Sequence, residues 1–131
     1  MLKIIIVSHG NLGQEMVKSA EMIMGEQDNI ETISLMMDQS FEAFIETVRE
    51  KVDELTGSGR EALMLVDIHG GTPANTVAAT TRGKPVFALT GANLPILLEA
   101  LARRSTDSAE ELIETLRDLG RESIRILNRP S

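Results

Sequence analysis

The chain has no cysteine, no tryptophan and no tyrosine, and its 131 residues include only three phenylalanines. Without cysteine, disulfide bridges and thiolate chemistry are excluded, and the composition is compatible with the cytosol. At 2% aromatic residues, stacking on bases or sugar rings is not the main mode of recognition. Positive charge is also in short supply. Thirteen Lys and Arg against 20 Asp and Glu give a formal net charge of -7, which argues against free nucleic acid and suits a basic patch on a protein partner. No run approaches the roughly 18 consecutive apolar residues of a membrane span. The apolar start at residues 1–7 passes directly into Ser8-His9-Gly10 with no small-residue cleavage pattern. It therefore reads as a buried first strand, not as a signal peptide.

What remains is an aliphatic, Met-containing chain with 42% hydrophobic residues. That is enough for one core, so residues 1–131 are expected to form a single domain. The methionines read as core filler, and the charged helix faces as solvated surface. Apolar runs alternate with helical patterns, the mark of a parallel α/β sheet. Residues 2–7 are nearly all apolar, as in a strand covered on both faces. Leu12, Met16, Ala20, Ile23 and Met24 have helical spacing, with Gly25 as a stop. Residues 30–35 alternate like an edge strand. Phe41, Phe44, Ile45, Val48, Val52 and Leu55 form one helical stripe, capped by Asp38 or Ser40 and ended by Gly57-Ser58-Gly59. Residues 62–66 and 86–89 read as the third and fourth strands.

Between those two strands, Thr72 reads as an N-cap with Pro73 at the first position of a helix ending near Gly83. Asn93 caps a helix through Leu101. Ser108 and Glu111 form a capping box for a last helix ending at Gly120. Residues 124–127 fit either a short terminal strand or a frayed helical continuation. The predicted architecture is a three-layer α/β domain with an open, mainly parallel sheet.

Two loops carry the candidate chemistry: Ser8-His9-Gly10-Asn11 and Asp67-Ile68-His69-Gly70-Gly71-Thr72-Pro73. Each follows a buried strand and precedes a helix. If the strand order is 2-1-3-4, these loops meet where the order reverses, the usual ligand position in an open parallel sheet. His9 then sits beside Asp67. A carboxylate that accepts a hydrogen bond from one ring nitrogen fixes the tautomer and leaves the other lone pair free, and that nitrogen can attack phosphorus. Gly70 and Gly71 allow close backbone approach to an anion. Thr72 adds a hydroxyl, and the helix start at Pro73 favours negative charge. Gly10 and Asn11 could act likewise from the first helix. Taken singly, each feature has a plain alternative: a surface histidine, a capping aspartate, a turn into a helix. Ser8 is a poor partner for His9, because consecutive strand residues point to opposite faces. His69 would complete a three-ligand metal set with His9 and Asp67, but no spacing motif supports one. It is expected to be an outward-facing loop residue, and no metal or cofactor is expected.

Three segments resemble, in order, the mannose-type enzyme IIA family of the bacterial phosphoenolpyruvate-dependent sugar phosphotransferase system (PTS). They are Ile5-Ile6-Val7-Ser8-His9-Gly10, the stretch from Leu65-Val66-Asp67 through Gly71-Thr72-Pro73-Ala74-Asn75, and Thr90-Gly91-Ala92-Asn93-Leu94-Pro95. Gly120-Arg121-Glu122 is similar too. The resemblance implies that His9 accepts a phosphoryl group from the phosphocarrier HPr and passes it to a IIB protein. It implies that Asp67 orients His9 and that Thr72 holds the phosphate. It further implies a cytoplasmic homodimer, completed by an antiparallel strand exchanged between subunits, which residues 124–127 would supply. Membrane IIC and IID components would be served indirectly.

Two departures stand out. His69 occupies a position that is usually apolar or aromatic in the family, and the chain stops at Ser131 with no linker or IIB domain, which implies a separate IIB protein. The competing readings are a phosphoryl donor subunit for dihydroxyacetone phosphorylation and a non-catalytic anion- or nucleotide-binding module on a flavodoxin-like scaffold.

Overall fold

The computed structural model describes residues 1–130. The chain runs β1 (Lys3–His9), α1 (Leu12–Met24), β2 (Ile30–Leu35), α2 (Phe41–Gly57), β3 (Ala62–Val66), α3 (Thr72–Thr81), β4 (Val86–Thr90), α4 (Leu94–Arg103) and α5 (Ala109–Glu122). The four strands form one sheet in the order β2-β1-β3-β4, and all three pairings are parallel. The predicted fold class and strand order are therefore observed.

Strand alternation divides the core in two. Ile5 and Val7 of β1 and Met64 and Val66 of β3 pack with Phe44, Val48 and Val52 of α2 and Val77 of α3. Ile4, Ile6, Leu63 and Leu65 face the other way, onto Ala20 of α1, Leu97 of α4 and Leu112 and Leu116 of α5. Every residue of β3 is fully buried, as expected of a strand with helices on both sides. Each such aliphatic side chain contributes about 1.5–3 kcal/mol through burial. By the same alternation, Ser8 falls on the α1 face and His9 on the face of α2 and α3.

The helix starts follow their capping residues. Ser40 Oγ accepts the Ala43 N–H at 3.1 Å, Asn93 Oδ1 that of Ile96 at 2.9 Å, and Ser108 Oγ that of Glu111 at 3.2 Å. Ser40, not Asp38, is thus the cap of α2. Several boundaries differ from expectation, among them β4, which runs through Thr90, and α4, which runs through Arg103. Gly71 is the N-cap of α3, so Thr72 is its first residue and Pro73 its second. β1 continues through Ser8 and His9. The last helix does not stop at Gly120. A Cβ there would lie 2.7 Å from Ile96 Cδ1, so this glycine lets α5 approach α4.

The C-terminal segment forms no strand within the chain. Residues 124–130 have no regular structure, and Ile124, Ile126 and Leu127 are exposed. Nor do all the methionines fill the core: Met64 is buried, whereas Met22 and Met37 are exposed. No helix among the described residues is long and apolar enough to cross a membrane.

At the opposite end of the sheet from His9, the buried Arg104 guanidinium donates to the carbonyls of Asp28 at 2.6 Å and Asn29 at 3.0 Å. It ties the loop before β2 to the end of α4. A second polar tie joins β1, β2 and α2. Glu31 accepts from Lys3 at 2.8 Å and from Lys51 at 2.9 Å. Partial burial pushes the Glu31 carboxyl upward and is the largest single effect. The hydrogen bonds and charges of the two lysines together outweigh it, leaving the pKa below its ordinary value of 4.5. A lowered carboxylate pKa stabilises the fold above the unfolded-state value, and that stability is lost as pH falls through the folded-state value. The site is partly open to solvent, so Glu31→Gln should cost only about 0.5–1 kcal/mol at neutral pH. Urea unfolding of both proteins at a series of pH values should show the gap closing as the medium is acidified below the ordinary carboxylate range.

Candidate functional site

The site is built where β1 and β3 end side by side, Val7 level with Val66. The next residue on β1 is His9 after Ser8, and the next after β3 is Asp67. The Asp67 N–H donates to the Val7 carbonyl at 3.1 Å, so the aspartate is fixed beside the end of β1 by its own backbone. Its side chain is almost covered, at 8% exposure, while the His9 ring is half exposed at 50%.

The Asp67 carboxylate has three contacts. Oδ2 accepts the His9 backbone N–H at 2.9 Å and also lies 2.9 Å from His9 Nδ1. Oδ1 accepts the N–H of Ile68 at 2.9 Å. A carboxylate can only accept, so Nδ1 carries a ring proton, and in the neutral imidazole Nε2 then holds the lone pair. Gly71 packs against the same ring. A Cβ placed on it would meet His9 Cε1 at 3.0 Å and Nε2 at 3.5 Å. Gly71 does not have a left-handed backbone, with φ -86°. It is suited to the position because a side chain would press on the imidazole.

Thr72 follows at the head of α3. Among the described residues, neither its hydroxyl nor the N–H groups of Thr72 and Ala74 in this first turn bond a protein acceptor. The first bonded amide is that of Asn75, which donates to the Gly71 carbonyl. Free donors at a helix start favour an anion. His9 and Thr72 line one cleft of about 560 Å³, which is also lined by Met36, Met37 and Phe41, with Asp38 and Gln39 between them in sequence. Gly70, at φ +85°, turns the chain from β3 into α3. Gly10 also lines the cleft, but its N–H is taken by the Leu35 carbonyl at 2.8 Å. Its place here is conformational, at φ +55°, and its amide is not available to an anion.

His69 is exposed and leans toward β4, with Nδ1 3.3 Å from Thr90 Oγ1. The structure pairs it with Thr90, not with the His9–Asp67 couple. Among the described residues there is no group of three or more His, Cys, Asp or Glu arranged to hold a metal ion.

The apolar part of the cleft lining is not evident from the sequence pattern. Phe41 belongs to the helical stripe of α2 by spacing, yet it is 60% exposed, because it starts the helix above the end of the sheet. Met36 and Met37 follow β2, which lies next to β1. The strand order alone places that loop at the same corner, and two adjacent methionines in a loop are the available signal.

The sequence profile of the family described as "PTS system fructose IIA component" (EIIA-man) matches residues 3–117. The chain belongs to this family. Among curated EIIA relatives, the mannose-specific EIIAB component of Escherichia coli (strain K12) is 32% identical over 128 residues, which is 96% of this chain and 39% of that protein. The chain thus spans about two-fifths of that relative's length. The fructose-specific EIIA component of Bacillus subtilis (strain 168) is 29% identical over 127 residues, covering 96% of this chain and 86% of that one. The crystal structure of a phosphotransferase system EIIA component from Streptococcus agalactiae superposes with a TM-score of 0.86 at 30% identity, over 96% of this chain and 97% of that one.

The packing of Gly71 on the imidazole yields a test within this EIIA fold. Gly71→Ala should displace the ring by a few tenths of an ångström while leaving an ordinary backbone. Acylation of His9 by diethyl pyrocarbonate, followed by intact mass, should slow several-fold, and the thermal midpoint should move by no more than about 4 °C.

Proposed function

We propose that this chain is the phosphoryl carrier of a sugar PTS, accepting phosphate on His9 Nε2 from phospho-HPr and passing it to a IIB component. The observation that carries this reading is the His9–Asp67 pair. One ring nitrogen is bonded to a nearly covered carboxylate, and the other faces a cleft beside the unbonded first turn of α3. In the transfer, the Nε2 lone pair attacks the phosphorus of the donor's phosphohistidine. The donor's N–P bond breaks as the Nε2–P bond forms. The His9 ring gains positive character, and Asp67 balances it through the Nδ1 proton. Phosphoryl transfer of this kind needs placement and charge stabilisation more than covalent help. Thr72 Oγ1 and the amides of Thr72 and Ala74 supply donors for the phosphoryl oxygens, and Gly70 and Gly71 keep that approach clear. The second step is the reverse attack by an acceptor on the IIB component.

The exposed side chains of Met36, Met37 and Phe41 line the cleft that holds His9. They give donor and acceptor an adaptable apolar surface, set in a chain whose acidity favours a basic partner. The relatives named as mannose-specific and fructose-specific PTS components support the sugar branch over dihydroxyacetone phosphorylation. On this reading the chain works in the cytoplasm as a IIA domain that serves a IIB component, with membrane IIC and IID components downstream.

Incubation with phosphoenolpyruvate, enzyme I and HPr should add one phosphoryl group to the intact chain, and His9→Ala should add none. Asp67→Asn should stay folded but transfer at least about tenfold more slowly, because the amide can present a donor to Nδ1 and select the wrong tautomer. Label appearing on His69 in the His9→Ala chain would overturn the assignment.

We also propose a homodimer. The sheet ends in the open edge strand β4, and exposed strand edges invite pairing. Ile124, Ile126 and Leu127 are an exposed apolar segment close after α5, suited to exchange between two copies. Removing the residues after Ser123 should weaken self-association and lower the thermal midpoint. Sedimentation of the intact and shortened chains at micromolar concentration is the measurement. A monomeric intact chain, or a shortened one that associates equally well, would exclude the exchange.

A further inference from the structure

Ser8 has no part in the chemistry just described. Its side chain points to the opposite face of the sheet from His9, and the residue is 1% exposed. Buried hydroxyls are placed where they bond something, and this one has two partners. Ser8 Oγ accepts the Gly13 N–H at 3.0 Å and donates to the Gly10 carbonyl at 3.3 Å. Gly13 belongs to the first turn of α1, where amides lack helical partners. A Cβ on Gly13 would stand 3.0 Å from Ile6 Cγ2 and 3.3 Å from Ser8 Oγ, so the absence of a side chain lets the helix come this close.

The consequence lies in the peptide planes around His9. The plane between Ser8 and His9 is held by the His9 N–H on Asp67. The plane between His9 and Gly10 is held by the Gly10 N–H on the Leu35 carbonyl. The plane between Gly10 and Asn11 is held by the Gly10 carbonyl on Ser8 Oγ. Gly10, at φ +55°, is the most permissive residue type and lies directly after the nucleophile. Only the third tie depends on Ser8; without it the Gly10–Asn11 plane is held from the α1 side alone, where the Asn11 carbonyl accepts the Glu15 N–H, and the turn that backs the His9 planes loosens.

We propose that Ser8 is a positioning residue for phosphoryl transfer. Through Gly10 and Gly13 it locks the turn after β1, so that the His9 ring keeps Nδ1 on Asp67 and Nε2 toward the cleft. The proposal rests on His9 being the phosphoryl acceptor.

The test compares the full chain with Ser8→Ala and Ser8→Thr by two measurements. Nitrogen-15 NMR of the neutral imidazole reads the tautomer, and a transfer assay from phospho-HPr reads rate and KM separately. The expected result for Ser8→Ala is a mixture of ring tautomers and a rate at saturating donor lower by about tenfold, with KM little changed. Ser8→Thr, which restores the hydroxyl, should recover both. A Ser8→Ala chain that melts earlier but keeps the native tautomer and rate would reduce Ser8 to a structural role and overturn the proposal. So would a folded Ser8→Thr chain that behaves like Ser8→Ala. Should Ser8→Ala not fold, Ser8→Cys keeps the volume with a much weaker donor and acceptor and takes the same readouts. If the unmodified chain accepts no phosphate, the functional reading falls, while the tautomer measurement still decides whether Ser8 positions the ring.

Discussion

The carboxylate of Asp67 joins the two central strands just past their ends. One oxygen takes both the backbone N–H and the ring Nδ1 of His9, and the other takes the next N–H of its own loop. A side chain with so many bonds has no rotamer freedom left, and the histidine it holds inherits that rigidity. Its near-complete burial makes each contact electrostatically stronger than it would be in water. The exposed ring nitrogen therefore stands on a fixed support, although half of the imidazole lies in solvent.

Rigidity at that point depends on the layers beneath it. β1 is paired on both sides, with β2 and β3, and its Ile4, Ile5, Ile6 and Val7 are buried between helices of both faces. A strand in that position cannot slip by one residue without turning each aliphatic side chain to the wrong layer. The register that satisfies the core therefore also decides that His9 meets α3 and Ser8 meets α1. Far below, Arg104 secures the loop before β2 with charged hydrogen bonds to two carbonyls. The sheet is thus pinned at the end away from the cleft and shaped by loops at the end that carries it.

Much of this was legible in the amino-acid order. The near-continuous apolar run of β1 and the fully apolar β3 marked strands covered on both faces, and their succession by helical patterns implied a parallel sheet. His9 and Asp67 were legible as a pair because each ends such a strand. What periodicity could not convey was depth. Phe41 has the spacing of a core residue but stands on the first turn of α2, above the sheet, where nothing covers it. Gly120 looked like a helix stop, whereas its role is to let Ile96 lie against α5, a contact between residues distant in sequence. The C-terminal segment was ambiguous for a related reason: a strand needs a neighbour, and no local pattern says whether one is available in the same chain. Strand alternation separates Ser8 from His9, but the bonds of Ser8 to Gly10 and Gly13 depend on the tightness of a turn that residue types alone do not specify.

The cleft at His9 has one further consequence. It offers a single open nitrogen, in a cleft lined by Thr72, Met36, Met37 and Phe41. On the chemistry proposed above, a donor that reaches this nitrogen occupies the approach an acceptor needs, so the two cannot be bound together. Each partner must then leave before the other can dock. A surface of flexible thioethers, which yields passable contact with differently shaped partners but no tight fit with either, suits short residence times. A substitution that lengthened either encounter would keep the nitrogen out of reach of the other partner for longer.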